Sequence, residues 1–143
     1  MSPRWPLDST NRRSRMVVND LHVHLVFITI LRRGALTESM LVRCQEVMRE
    51  VCAGFGAELI TFTGTDDHVR LHVRYPAVVA ISRLVNSLKG VSSRLLRKEF
   101  DQHVAQQLGG EQLWSPSYYA GCSSDAPEGV LTRYLDSQRR GAR

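Results

Sequence analysis

The eight residues from His68 to Tyr75 alternate strictly between polar and apolar side chains, in the order HVRLHVRY. Side chains of a β-strand point alternately to its two sides, so this pattern predicts a strand with one buried face. The turn sequence GTDD precedes the segment and a proline follows it, which limits the strand to these residues. The polar face of the strand then carries His68, Arg70 and His72.

The rest of the chain predicts three more strands and three helices. Apolar, β-branched runs are typical of strands, and they occur at 21–31, 57–63 and 117–122. Apolar residues three and four positions apart indicate three helices. The first is capped by Thr37 and ended by Gly54 and Gly56, and the second covers 81–100. The last is capped by Ser124 or Asp125. The order β-α-β-β-α-β-α predicts an α+β fold of the ferredoxin-like type, an antiparallel sheet with helices on one face.

The length of 143 residues is usual for one domain, and 43% of the residues are hydrophobic. We expect a flexible basic arm at 1–16, a single domain at 17–140 and a basic tail at 141–143. No stretch approaches the roughly 18 apolar residues of a membrane helix, and the N-terminal residues lack the apolar core of a secretory signal. The three cysteines include no C-x-x-C pair, which favours a reducing compartment over a disulfide framework.

Arginine dominates the charge of the chain. Lys and Arg number 19 against 14 Asp and Glu, a net charge of +5, and seventeen of the 19 are Arg. Arg pairs bidentately with phosphate, so an Arg-rich surface suggests nucleic acid or another polyanion as the partner. A solvated surface from an arginine-biased genome explains the same numbers. On the second predicted helix the candidates for phosphate contact are Arg83, Lys89, Arg94 and Arg97, with the solvated face of an amphipathic helix as the alternative.

Two pairs of histidines are candidates for a metal site. His22 and His24 share one face of the first strand, and His68 and His72 share one face of the third. His68 and His72 stand about 13 Å apart along an extended strand, too far to bind one ion directly. The first and third strands are neighbours in a ferredoxin-like sheet, so histidines from both can face one site. A polar sheet face without a metal is the alternative.

Tyr134 and Gln138 stand one turn apart on the last predicted helix. A tyrosine can attack phosphorus to form a covalent intermediate, and a glutamine carbonyl can ligate a hard cation. A half-buried aromatic residue with a polar neighbour would show the same spacing.

Several motifs occur in the order of one known family. They are LKG and SSR within 88–94, WSPSYY at 114–119, and Tyr134-Leu135 followed by Gln138. On these motifs the chain, over residues 22–139, resembles the small bacterial single-tyrosine HUH transposases of insertion sequences, whose relatives include the REP-associated tyrosine transposases. The resemblance implies a homodimer that binds hairpins in single-stranded DNA, then cuts and rejoins the strand through a 5′-phosphotyrosine. It also implies a cytoplasmic location at the bacterial nucleoid.

The resemblance assigns roles to single residues. Tyr134, on the C-terminal helix, matches the nucleophile. His68 and Gln138 match ligands of a divalent ion, Mg²⁺ or Mn²⁺, that polarises the scissile phosphate. Arg70 stands where the family has its second histidine, and a guanidinium has no lone pair to offer a metal. Ile30 stands where family members carry a lysine, which is a second departure.

Three accounts of Arg70 are open. In the first, His22 or His24 supplies the missing ligand and the metal is kept. In the second, Arg70 binds the scissile phosphate in place of the cation, and no metal is needed. In the third, the chain has lost cleavage and is a domesticated protein that binds DNA hairpins. An unrelated ferredoxin-like RNA-binding protein is a further alternative, and it predicts a preference for RNA over single-stranded DNA.

Overall fold

The computed structural model describes residues 20–121. Four strands and three helices are present in this range: β1 (Leu21–Ile28), α1 (Glu38–Gly54), β2 (Glu58–Gly64), β3 (His68–Tyr75), α2 (Ile81–Glu99), α3 (Asp101–Leu108) and β4 (Tyr119–Gly121). A single 3-10 turn, Ile30–Arg32, follows β1. The predicted arm at 1–16, the last helix with Tyr134 and Gln138, and the tail at 141–143 lie outside the described residues.

The four strands form one antiparallel sheet in the order β2-β3-β1-β4. β1 and β3 are therefore neighbours in the centre of the sheet, as a ferredoxin-like arrangement requires. Their register places Leu25 opposite Leu71 and Ile28 opposite His68. The predicted α+β fold, an antiparallel sheet with helices packed on it, is confirmed.

Helices α1 and α2 cover one face of this sheet. That face carries alternate residues of the two central strands, all of them buried: Val23, Leu25, Phe27, Val69, Leu71 and Val73. They pack in one cluster with buried residues of the helices: Met40, Cys44, Met48, Leu84, Leu88 and Leu96. Burying each large apolar side chain stabilises the fold by about 1.5–3 kcal/mol, so packing more than helix propensity holds the helices on the sheet. Within residues 20–121, no helix is long and apolar enough to cross a membrane.

Local chemistry sets the ends of the helices. Thr37 caps α1, because its side-chain oxygen accepts a hydrogen bond from the backbone N–H of Met40. Gly56 follows α1 with φ at +74°, a left-handed conformation that favours glycine. Arg97 and Lys98 lie in the last turn of α2, where positive charge complements the helix dipole.

Three elements differ from the sequence-based expectation. The sequence does not predict α3, because its eight residues bury only Val104 and Leu108 and show little apolar periodicity. β1 ends at Ile28 and does not reach residue 31, because Leu31 and Arg32 have φ values of 54° and 52°, which no strand accommodates. β4 is shorter than the predicted 117–122.

Trp114 belongs to the core. It is 3% exposed, and its indole Nε1–H donates to Ser92 Oγ at 3.0 Å. The hydroxyl of Ser92 is also buried and donates to the carbonyl oxygen of Leu88 at 2.7 Å. A chain of hydrogen bonds therefore joins α2 to the segment before β4 in apolar surroundings.

We predict that Ser92→Ala destabilises the protein by about 1–3 kcal/mol, because the indole N–H of Trp114 then stays buried without its acceptor. Urea titration gives the free energy of unfolding that tests this. Ser93→Ala is the matched control, since Ser93 is the next residue of α2 and is only partly buried; its change should stay within about 0.5 kcal/mol. Equal losses in the two variants would contradict a role for the buried bond.

Candidate functional site

The face of the sheet turned away from α1 and α2, here called the outer face, carries the histidines and arginines singled out in the sequence. It consists of the strand residues that alternate with the core: His22, His24, Val26 and Ile28 on β1, and His68, Arg70, His72 and Arg74 on β3. Val26 and Ile28 are buried there against Tyr119 of β4. His68 and Arg70 stand opposite these two apolar residues on the neighbouring strand.

His68 is held at the start of β3 through one nitrogen of its ring. Its Nδ1 lies 2.8 Å from Asp67 Oδ1 and 3.0 Å from Thr65 Oγ1. An ionised carboxylate only accepts hydrogen bonds, so Nδ1–H is the donor to Asp67. Both hydrogen bonds that the ring makes within residues 20–121 use Nδ1. Nε2, on the other edge of the ring, is the nitrogen that can act on a ligand.

Asp67 connects His68 to an arginine that follows the neighbouring strand. Arg32 approaches Asp67 Oδ2 with Nη2 at 2.8 Å and Nε at 3.0 Å. The two side chains are 12% and 18% exposed, so water screens this pair less than it screens a surface pair. Burial acts to raise the pKa of Asp67, but the hydrogen bond from His68 and the charge of Arg32 outweigh it, and the pKa lies below its ordinary value. Asp67 is therefore ionised at neutral pH.

The backbone after β1 bends around the turn that carries Asp67. The N–H of Thr29 donates to the carbonyl of Asp67 at 2.9 Å, and the N–H of Leu36 donates to the carbonyl of Asp66, also at 2.9 Å. A Cβ on Gly34 would lie 2.7 Å from Asp66 Oδ2, so glycine permits this close approach. The bend and the turn thus form one hydrogen-bonded unit beside His68.

Arg70 lies two positions after His68 on the same face of β3, and its side chain is exposed. Its cross-strand neighbours are Val26 of β1 and Thr63 of β2. Within residues 20–121, no acidic side chain forms an ion pair with Arg70. A guanidinium placed in this way can bind a phosphate oxygen but cannot ligate a metal ion.

His22, His24 and His72 form a separate cluster at the other end of the outer face. His22 Nδ1 lies 2.7 Å from His72 Nε2, and the rings of His24 and His72 stack with their centroids 4.2 Å apart. His24 stands opposite His72, four positions along β1 from Ile28, the residue opposite His68. The separation along the strand is about 13 Å. The sheet therefore does not bring His22 or His24 next to His68.

The described part of the site does not by itself fit a metal ion. Within residues 20–121, no three His, Cys, Asp or Glu side chains are grouped so that they could hold one. His68 offers Nε2, while Arg70 offers no lone pair. The predicted ligand Gln138 lies outside the described residues. A cation beside His68 would need its other ligands from elsewhere.

The basic residues of α2 differ in their surroundings. Lys89 is turned towards the segment before β4, and its Nζ donates to the carbonyl oxygens of Ser115 at 2.7 Å and Pro116 at 3.3 Å. Burial lowers the pKa of Lys89. Arg94 is exposed and Arg97 is partly buried. The predicted phosphate contacts of the two arginines stay predictions, while the ammonium of Lys89 is engaged by backbone carbonyls.

The sequence-based prediction missed Arg32 as a residue of the site. In the sequence, Arg32 and Arg33 only mark the end of the first strand. A usable signal exists, because the end of β1 lies beside the start of β3 in a ferredoxin-like sheet. A basic residue just after β1 is therefore close to the Asp67-His68 pair.

Comparison with known proteins identifies the family. A family model described as IS200-like transposase matches residues 17–138. The chain belongs to this family. The resemblance seen in the sequence is confirmed, and with it a general function in transposition, which involves DNA binding and recombination.

Individual relatives of this IS200-like transposase cover most of its length. The ISDra2 transposase TnpA of Deinococcus radiodurans is 29% identical over 127 residues, 89% of this chain and 90% of that protein. A crystal structure of a protein assigned as a transposase, from D. radiodurans R1, superposes with a TM-score of 0.80 at 26% identity, over 90% of this chain and 98% of the other. A REP-associated tyrosine transposase bound to a REP hairpin has a TM-score of 0.56 at 12% identity, over 95% of this chain and 76% of the other, and supports the fold alone.

We predict that acid destabilises this transposase through the histidine cluster. Burial, together with the neighbouring His22, His24, Arg70 and Arg74, lowers the pKa values of His24 and His72 below 6.5. The unfolded chain therefore binds these protons more tightly, and the free energy of unfolding falls as the pH drops below about 6.5. Urea midpoints measured between about pH 7 and 5 should show this fall, and His72→Gln should make it shallower. His103→Gln, outside the cluster, should leave the fall in place; an equal flattening would refute the assignment.

We predict that Lys89→Met lowers the free energy of unfolding by about 1–3 kcal/mol, because two carbonyl oxygens lose a charged donor. Thermal or urea unfolding measures the loss. Lys98→Met is the matched control on the same helix, since Lys98 is exposed, and its effect should be within about 0.5 kcal/mol. A Lys89→Met protein as stable as the wild type would show that the contacts to Ser115 and Pro116 contribute nothing.

Proposed function

We propose that this IS200-like transposase, as a homodimer, binds hairpins in single-stranded DNA and cuts and rejoins the strand through Tyr134. The phenolic oxygen of Tyr134 forms a bond to the scissile phosphorus while the bond from phosphorus to the 3′ oxygen breaks. The phenol loses its proton, and the leaving 3′ oxygen ends as a hydroxyl. Attack by a 3′-hydroxyl on the resulting 5′-phosphotyrosine reverses the step and joins the strands.

The observation that carries this proposal is the placement of His68 and Arg70 side by side on the outer face. The scissile phosphate is anionic, and its oxygens gain charge in the transition state, so guanidinium N–H groups directed at them stabilise that state. With Nδ1–H donated to Asp67, a neutral His68 ring has its lone pair on Nε2, and such a nitrogen can accept the phenol proton. Arg70 supplies the positive charge, and His68 supplies the base.

The geometry favours one of the three accounts of Arg70. His22 and His24 lie at the far end of the outer face, which gives no support to their replacing a ligand beside His68. Arg70 is exposed next to His68 and forms no ion pair within residues 20–121. The family resemblance implies Mg²⁺ or Mn²⁺, yet the described residues supply a single ligand. No step of the proposed reaction therefore depends on a divalent ion.

A second function is favoured by the same substitution. A chain that lost its metal ligand at position 70 can lose cleavage and still bind hairpins, as a domesticated DNA-binding protein. A protein of similar fold, a REP-associated tyrosine transposase, has been solved with a REP hairpin bound. Only the first function forms a covalent bond between Tyr134 and DNA, so this bond separates the two.

We predict that the protein forms a covalent adduct with labelled single-stranded DNA taken from the flanks of its own gene. The adduct survives denaturing electrophoresis and is absent in Tyr134→Phe, which lacks the attacking oxygen. Arg70→Met should slow adduct formation by about a hundredfold, the usual effect of removing one transition-state donor. Arg74→Met is the matched control on the same strand and face, with an expected change of a few-fold.

Chelating divalent ions with EDTA tests whether Arg70 or a metal ion supplies the positive charge at the scissile phosphate. If Arg70 binds the phosphate alone, the adduct persists in EDTA, whereas its loss in EDTA would show that a metal is required and would overturn this role of Arg70. Binding of the hairpin with no adduct under any condition would establish the second function. A preference for RNA over single-stranded DNA would argue against both.

A further inference from the structure

We infer that Arg32 and Asp67 are positioning residues that fix the ring of His68 so that Nε2, on the edge away from Asp67, is the nitrogen presented to the reacting phosphate. The inference deepens the proposed function and rests on His68 acting in that reaction. Arg32 and Asp67 act through the imidazole and are not expected to touch the DNA.

Both oxygens of the Asp67 carboxylate are used in holding this geometry. Oδ2 is bound by Arg32 through Nη2 and Nε, at 2.8 and 3.0 Å. Oδ1 receives the Nδ1–H of His68 at 2.8 Å and the hydroxyl of Thr65 at 3.1 Å. With Oδ2 tied to Arg32, the carboxylate cannot rotate away from the imidazole. A carboxylate held against one ring nitrogen fixes both the ring orientation and the tautomer, which places the lone pair on the other nitrogen.

The backbone that brings Arg32 to Asp67 is strained. Leu31 and Arg32 both have left-handed φ values, 54° and 52°, and neither is glycine. Such conformations persist where surrounding contacts hold them, and they concentrate at functional sites. The contacts are present here: the buried hydroxyl of Thr29 donates to the carbonyl of Arg33 at 2.6 Å and lies 3.2 Å from the carbonyl of Asp67. The bend is thus anchored to the same turn that carries the carboxylate.

A second histidine–aspartate contact in the protein lacks this support. His22 Nε2 lies 2.8 Å from Asp20 Oδ1, a distance equal to that between His68 and Asp67. Asp20, however, is 78% exposed, and within residues 20–121 no arginine forms an ion pair with it. Among the two histidine–aspartate contacts of the described residues, the arginine and the strained bend support only that of His68. This difference supports a functional need to hold the ring of His68 more firmly than an exposed ion pair holds the ring of His22.

The tautomer of His68 tests the inference directly. Imidazole ¹⁵N signals, recorded by NMR on the full chain at about pH 8.5 where histidines are ordinarily neutral, distinguish a protonated ring nitrogen from one with a lone pair. His68→Gln identifies the signals of His68. We expect Nδ1 to be protonated and Nε2 to carry the lone pair in the wild type. In Asp67→Asn the amide can donate to the ring, so the Nε2–H tautomer should appear, and Arg32→Met should give a mixture of the two.

Two controls separate positioning from stability. Arg33→Met changes the exposed arginine next to Arg32 in the same bend, and Asp20→Asn changes the exposed carboxylate beside His22. Both should leave the His68 signals unchanged. Where the wild type forms the Tyr134 adduct, Asp67→Asn should slow it about 10- to 100-fold and Arg32→Met about tenfold. Arg32→Lys, which keeps the charge, should recover part of the rate, and thermal unfolding confirms that each variant is folded.

The outcomes of the two measurements are distinguishable. A wild-type His68 with Nε2 protonated, or a tautomer that Asp67→Asn and Arg32→Met leave unchanged, would overturn the inference whether or not the protein cuts DNA. The predicted tautomer shifts in a protein that forms no adduct would support the positioning of the ring while removing the proposed reaction. Folded variants with shifted tautomers and an unchanged rate of adduct formation would overturn the link between Nε2 and catalysis.

Discussion

The antiparallel pairing of β1 with β3 determines where each side chain of the candidate site stands. Ile28, the last residue of β1, lies opposite His68, the first residue of β3. The chain that leaves β1 must therefore pass the turn that carries Asp67, and Thr29 and Arg32 contact that turn. If β3 slipped by one residue against β1, the buried side chains of β3 would turn outward and His68 would turn into the core. The apolar core thus fixes the polar site on the opposite face.

Much of this arrangement could be predicted from local sequence patterns. The alternation of HVRLHVRY gives the bounds of β3, and the structure confirms them, together with the shared face of His68, Arg70 and His72. Alternation of polar and apolar residues is a local signal, so it can be read from the sequence without knowing which elements pack against the strand. The order of elements also led to the correct neighbours in the sheet. Element order alone does not give register, however, and register is what separates His24 from His68.

The bend at Leu31 and Arg32 could not be read from the sequence for a different reason. Neither residue favours a left-handed conformation, so local propensity predicts a continued strand there. The conformation is imposed by contacts between Thr29 and the Asp67 turn, which are 38 residues apart in the chain. Lys89 is a similar case, since its sequence position on an amphipathic helix suggests a surface charge. Its burial against two carbonyl groups depends on the path of the segment before β4.

Charge balance gives a physical reason for placing Arg32 behind Asp67. In the proposed reaction the carboxylate of Asp67 orients His68, but an unpaired carboxylate about 6 Å from a phosphate would repel it by about 3 kcal/mol at an effective dielectric constant of about 20. Arg32 makes the carboxylate part of a neutral pair, so in the proposed reaction Arg70 is left as the positive charge that faces the substrate. The two left-handed residues of the bend cost about 1–3 kcal/mol each, or about 2–6 kcal/mol together, which is of the same order as the repulsion that the ion pair removes. The conformational cost of the bend is thus similar in size to the repulsion between carboxylate and phosphate that it prevents. Without the bend, Arg32 would not reach Asp67, and the unpaired carboxylate would oppose the binding of DNA.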